Sequence, residues 1–186
     1  MNKKGFTLIE MLTTSAILVI VFGLLTVLFT RATTIHKVVR SGGDAENLGI
    51  YLLNTMIYGP GINREEGLIG VPVFSFHPST TGDTELVFTT KTGKSVRYAV
   101  ADNTLKYGLG TGIDLKPTWA KDRQLDVVPA ESRFYYYTDG AGTETATVGQ
   151  EIYSVRLRLV LKSVFQAEQE KVTLERLVRI RNQIAF

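Results

Sequence analysis

The pattern of apolar and polar positions divides the chain into three parts. From Phe6 to Phe29 the residues are apolar or small, with one carboxylate, Glu10, near the start. The nineteen residues from Met11 to Phe29 carry no charge, close to the ~20 that a helix needs to cross a bilayer. After Arg31 the pattern turns amphipathic. Ile35, Val38, Val39, Ala45, Leu48, Leu52, Leu53 and Met56 recur at steps of three and four, which gives a helix one apolar face. His36, Lys37, Arg40, Asp44, Glu46 and Asn47 fall mostly off that face. Gly42-Gly43 is the expected weak point for a bend or fraying, and Tyr58-Gly59-Pro60-Gly61 is the expected stop. A helix from Phe6 to about Ile57 would be on the order of 80 Å long. A single small domain cannot bury such a rod. Its first half belongs in a membrane or among similar helices, and its second half can pack on the rest of the chain.

Beyond Gly61 the period shifts to two. Val71 to Phe76 reads as a short strand, at an edge or with Pro72 at its start. Glu85 to Thr90 and Lys94 to Val100 read as a hairpin around Lys91-Thr92-Gly93. Asp102-Asn103 turns the chain into Thr104 to Tyr107, extending the hairpin to a meander. Gly108 to Lys116 reads as glycine-rich loop. Leu125 to Val128 and Arg133 to Thr138 are further strands. Asp139 to Gln150 reads as an exposed, mobile polar loop. Ile152 to Val164 alternates, with Val155, Leu157, Leu159 and Leu161 on one face. Lys171 to Ile184 alternates too, with a change of phase at Arg176-Leu177 that predicts a bulge. The expected fold is α+β: a long N-terminal α-helix, transmembrane in its first half, packed on an antiparallel β-sheet head.

Composition narrows the picture. About 125 of the 186 residues follow the helix, enough for one globular domain with its own core. The side-chain charge is +3, and loss of Lys3 and Lys4 would leave +1, so the high isoelectric point is no argument for nucleic acid binding. Cysteine is absent, which excludes disulfides and thiolate metal sites.

Glu10 is the anomaly. An ionised carboxylate in hydrocarbon costs about 2.5 kcal/mol or more unless it is partnered. No basic residue lies within one turn on its C-terminal side, so its partner is expected from elsewhere. A secretory signal would have a shorter run and a small-residue cleavage site; Ala32-Thr33-Thr34 is a poor one, and Glu10 is out of place in it. An ordinary signal anchor explains the length but not the sequence Gly-Phe-Thr-Leu-Ile-Glu.

The stretch Lys3-Lys4-Gly5-Phe6-Thr7-Leu8-Ile9-Glu10, followed by a membrane-length run, resembles the class III signal of type IV pilins and of type II secretion pseudopilins. The resemblance implies that a prepilin peptidase cuts between Gly5 and Phe6 and methylates the new amine of Phe6. It implies that Glu10 pairs with the N-terminal amine of a neighbouring pilin or pseudopilin subunit. It divides the chain into a leader (1–5), a transmembrane and filament-core helix (6–30) marked by Met11, Ile17, Val21, Leu25 and Phe29, an amphipathic helix (31–58) and a β head (59–186). Lys3 and Lys4 favour a cytoplasmic N-terminus, Arg31, Lys37 and Arg40 weaken that signal, and the resemblance puts the head on the periplasmic or extracytoplasmic side. It further implies an assembly ATPase, a membrane platform and membrane lipid as partners.

The meander Val96-Arg97-Tyr98…Leu105-Lys106-Tyr107 and the closing strands with Val155-Arg156-Leu157-Arg158-Leu159 and Val178-Arg179-Ile180-Arg181-Asn182 are similar to the J-type minor pseudopilins and the W-type minor pilins. The apolar segment lacks the proline that major subunits often carry, which also points to a minor subunit. A major pilin is one alternative. Another is an anchored single-pass β-domain binding module, which predicts no cleavage after Gly5.

The sequence offers little to catalysis, and no enzyme is expected. His36 and His77 are far apart and form no metal set. Gly108-Leu109-Gly110-Thr111-Gly112 lacks the lysine and helix of a phosphate loop. Asp139, Glu144 and Glu151 match no calcium loop, and a solvated hairpin tip is the plainer reading. Tyr135-Tyr136-Tyr137 alternates across a strand, so Tyr136 should face away from its neighbours. No metal, cofactor or nucleic acid partner is expected.

Overall fold

The first helix, α1, runs from Leu8 to Tyr58 without a break, so the Gly42-Gly43 pair does not interrupt it. The computed structural model describes residues 7–60, 66–69, 84–90, 93–108, 112–147, 151–163 and 171–180. The expected strand Val71–Phe76 lies outside these residues. The chain divides into two compact units, Met1–Arg40 and Ser41–Phe186.

In the second unit the helix ends where the sequence predicts. Gly59 takes φ 88°, a conformation that costs a side-chain-bearing residue strain, and its N–H donates to Thr55 O at 2.9 Å. The segment Glu66–Ile69 then returns over the helix end. Leu68 N–H donates to Met56 O and Ile69 N–H to Ile57 O, meeting two of the carbonyls that a helix C-terminus leaves open.

Two antiparallel sheets follow. The first is a meander in the order β1 (Glu85–Thr89), β2 (Ser95–Ala101), β3 (Thr104–Tyr107) and β4 (Ile113–Asp114). Asp102 and Asn103 both have positive φ, 50° and 57°, as a two-residue hairpin turn of type I′ requires. The expected glycine-rich loop is partly strand, because Lys106 and Tyr107 pair with Asp114 and Ile113. A short helix, α2 (Thr118–Asp122), links the sheets.

The second sheet is built on β7 (Ser154–Ser163). On one edge β7 takes β5 (Leu125–Val127) and β6 (Arg133–Tyr137) end to end; on the other it takes β8 (Lys171–Arg179). Val155, Leu157, Leu159 and Leu161 all face the core, as the alternation predicts. Tyr136 is buried with Phe134, and its hydroxyl donates to Glu85 O at 2.8 Å. The predicted bulge at Arg176-Leu177 is absent: the β7–β8 register is continuous from Ser154↔Arg179 to Lys162↔Lys171. Among the described residues β8 pairs with β7 alone, and Arg176 occupies a core-side position on that edge yet is exposed, while Leu177 packs at Gly142 on the opposite face. A side chain at the rim of an edge strand reaches water from either face, and the sequence reads that freedom as a phase change.

The apolar face of α1 covers this core from Ala45 onward. Ala45, Leu48, Leu52, Leu53 and Met56 are buried, as expected, and Ile57 joins them. Ile35 and Val39, grouped on the same face from the sequence, are exposed. Asp44 ion-pairs with Arg123, whose guanidinium lies 5.7 Å from the Trp119 ring centre, joining α1 to α2. Behind the helix end, Tyr98 is fully buried and donates to Glu66 O at 2.9 Å. Burial, and then the charge of Glu66, push its phenol above the ordinary tyrosine range, so it stays a neutral donor.

The described part of the loop after β6 is largely exposed, as expected, and is hydrogen-bonded around one carboxylate. Asp139 accepts from the N–H groups of Gly142 (3.1 Å), Thr143 (2.9 Å) and Glu144 (3.1 Å) and from the Thr143 hydroxyl (2.7 Å). Ala146 is buried, and Thr145 bridges back to Tyr137. The Thr143 hydroxyl, with the N–H groups of Glu144, Thr143 and Ala141, outweighs partial desolvation and holds the Asp139 carboxyl down to about 2. A carboxyl lowered on folding contributes stability above its unfolded pKa and loses it as pH falls through the folded value. Asp139→Asn is therefore expected to lower the melting temperature at neutral pH, with the gap to wild type closing between about pH 4 and about pH 2. Thermal melts across that range check it.

Candidate functional site

Among the described residues the N-terminal unit has no core of its own. From Leu8 to Phe29 every large apolar side chain is exposed, and none of the most apolar stretch of α1 is buried. In water such a surface is strongly unfavourable, at about 25 cal/mol per Å². It is long and apolar enough to cross a membrane. Of the positions singled out in the sequence, Met11, Ile17, Val21, Leu25 and Phe29 all sit exposed on this helix; Gly5 and Phe6 lie outside the described residues.

The polar groups of the segment are satisfied within it. Thr13, Thr14, Ser15, Thr26 and Thr30 each donate a hydroxyl to a backbone carbonyl one turn back, as in Thr14 to Glu10 O at 2.7 Å and Thr26 to Phe22 O at 2.8 Å. A helix that keeps its hydroxyls bonded internally can enter hydrocarbon without stranding donors.

Glu10 stands at the helix N-terminus. Its Oε2 accepts from Thr7 N–H and from the Thr7 hydroxyl, both at 2.8 Å. Glu10 N–H returns a bond to Thr7 Oγ1 at 3.3 Å. This is a reciprocal capping box. Beside the cation expected on another chain, Glu10 thus has a local partner, whose signal is the Thr-x-x-Glu spacing of Thr7-Leu8-Ile9-Glu10. The box fixes the carboxylate at the positive end of the helix dipole but supplies no full positive charge.

His36 is exposed on the helix, and His77 lies outside the described residues. Among the described residues no group of three or more His, Asp or Glu could hold a metal ion. Asp139 is filled by its own loop, and Glu151 accepts from Tyr153 at 2.7 Å.

A family model described as the prokaryotic N-terminal methylation motif matches residues 1–26. That match, beside a long apolar N-terminal helix and an antiparallel β head, supports a type IV pilin-like protein that prepilin peptidase processes and that assembles with other pilins. Such proteins are generally structural and not enzymatic. No curated protein and no solved structure matches the chain.

Proposed function

We propose that the chain is a non-enzymatic filament subunit of a type IV pilus or a type II secretion pseudopilus, of the minor class. Prepilin peptidase removes Met1 to Gly5 and methylates the amine of Phe6. Phe6 to Phe29 holds the subunit in the cytoplasmic membrane, with the residues after Arg31 on the extracytoplasmic side. During assembly, contacts with other subunits' helices replace contacts with lipid. An ATPase and a membrane platform drive that step, and a minor subunit acts at initiation or at the tip.

The observation that carries the reading is the fully exposed apolar helix from Leu8 to Phe29 with one carboxylate at its start. A plain anchor gains only a helix cap from an acid there, whereas a subunit that meets another chain's free amine also gains a charge partner. The pair would be desolvated, where opposite charges attract far more strongly than in water. In a host with an active filament system, the chain is expected in the sheared filament fraction, and deletion of the peptidase is expected to remove it. Retention in membranes with the peptidase intact would favour the anchored binding module.

A further inference from the structure

The outer face of the second sheet, opposite α1, is crowded with cations. Strands β6, β7 and β8 carry seven Lys and Arg and one Glu. Six of these cations, Arg133, Arg156, Arg158, Lys162, Lys171 and Arg179, share the outward side, as the register requires. Arg133 stands directly opposite Arg158, and Lys162 directly opposite Lys171. Like charges in facing positions destabilise a sheet, so the pattern needs a reason beyond folding.

Three of the guanidinium groups are positioned by backbone carbonyls, which do not neutralise them. Arg133 donates to Pro129 O (2.6 Å) and Ser132 O (2.7 Å), Arg156 to Gly142 O (3.2 Å), and Arg179 to Gly140 O (2.7 Å). Backbone carbonyls orient these side chains but leave their charge in place. Arg158 has Glu175 at 3.5 Å, and Lys171 pairs with Glu131. Arg158 and Lys171 remain 39% and 41% exposed.

The domain as a whole is not basic. Residues 41–186 carry sixteen Lys and Arg against seventeen Asp and Glu, and outside the three strands the count is nine against sixteen. A near-neutral domain with its cations gathered on one face exerts little long-range pull on a polyanion. It is complementary to the acid-rich remainder of another domain like itself.

We infer that the outer face of β6–β8 docks the acid-rich surface of a second copy of this chain, in a heterologous, basic-to-acidic contact. Two adjacent copies suffice, and the pair leaves one basic face and one acidic surface open. The inference leans on the filament-subunit reading only for why heads meet.

Sedimentation velocity of the full chain in neutral detergent, at about 50 mM and about 500 mM salt, tests it. Wild type is expected to self-associate at low salt and to lose about tenfold in affinity at high salt. Arg158→Glu with Lys162→Glu is expected to remain monomeric alone yet to pair with wild type, whose basic face accepts the variant's unchanged acidic side. Should the reversal fail to fold, Arg158→Gln with Lys162→Gln is expected to reduce self-association. Unchanged association of a folded variant overturns the inference, as does the absence of salt-sensitive association in wild type. A wild type that stays monomeric at low salt yet binds a single-stranded DNA oligonucleotide through this face would overturn it in favour of nucleic acid. The assay does not depend on cleavage after Gly5, so either reading can fail alone.

Discussion

Glu10→Ala is expected to leave the chain folded and in the membrane while lowering its recovery in sheared filaments by at least about tenfold. Truncating one partner of a desolvated charge pair typically costs 2–5 kcal/mol, and about 1.4 kcal/mol is already tenfold. The head does not depend on this residue: Glu10 belongs to the N-terminal unit, and its contacts are to Thr7. The capping box supplies the control. Thr7→Val removes the hydroxyl that holds Oε2 but keeps the charge, so it should cost about 1 kcal/mol of helix capping and reduce assembly less than Glu10→Ala. Equal losses in the two variants would mean that the cap, and not the charge, is what assembly needs. Quantitative blots of sheared and membrane fractions separate these outcomes.

Gly67→Val is expected to destabilise the head by about 3–5 kcal/mol, combining overpacking with the loss of two backbone hydrogen bonds. A Cβ at Gly67 would lie 2.4 Å from Gly59 N and 2.5 Å from Ile57 O. These are backbone atoms at the end of α1 and cannot swing aside. To relieve the clash the segment must lift, breaking the bonds from Leu68 to Met56 and from Ile69 to Ile57. It would also disturb buried Glu66, which pairs with Lys94 and accepts from Tyr107. Gly43→Ala makes the contrast: it lies within α1 with nothing inside 4 Å of a built Cβ, so helix propensity alone should raise stability by about 0.5–1 kcal/mol. Thermal melts of the full chain in detergent check both signs.

What the sequence made legible follows from how local each signal is. The helix from Leu8 to Tyr58 rests on an apolar run, a three-four repeat and a Gly-Pro stop, all readable within a few turns. The β1–β2–β3 meander rests on alternation and on Asp102-Asn103, a pair suited to positive φ. The Glu66 clamp was out of reach, because its partners stand 28 and 41 residues away and no periodicity announces it. The Asp139 turn is not legible in a polar composition, because one side chain gathers backbone N–H groups that lie up to five residues on. The phase change at Arg176 reads as a bulge because sequence alone does not show that β8, among the described residues, pairs with β7 alone. At the N-terminus, Glu10 stood out as a charge beside an apolar run, but attention to that charge hid the Thr7 cap three residues before it.

The central claim is that this chain is a processed filament subunit, and the N-terminus of the protein recovered from its native membranes tests it most directly. Intact mass and terminal peptide mapping are expected to find a chain that begins at N-methylated Phe6. A chain that still carries Met1 to Gly5 in a cell with active prepilin peptidase would contradict the account, and a start near Thr34 would mean that the apolar helix is a signal discarded before assembly.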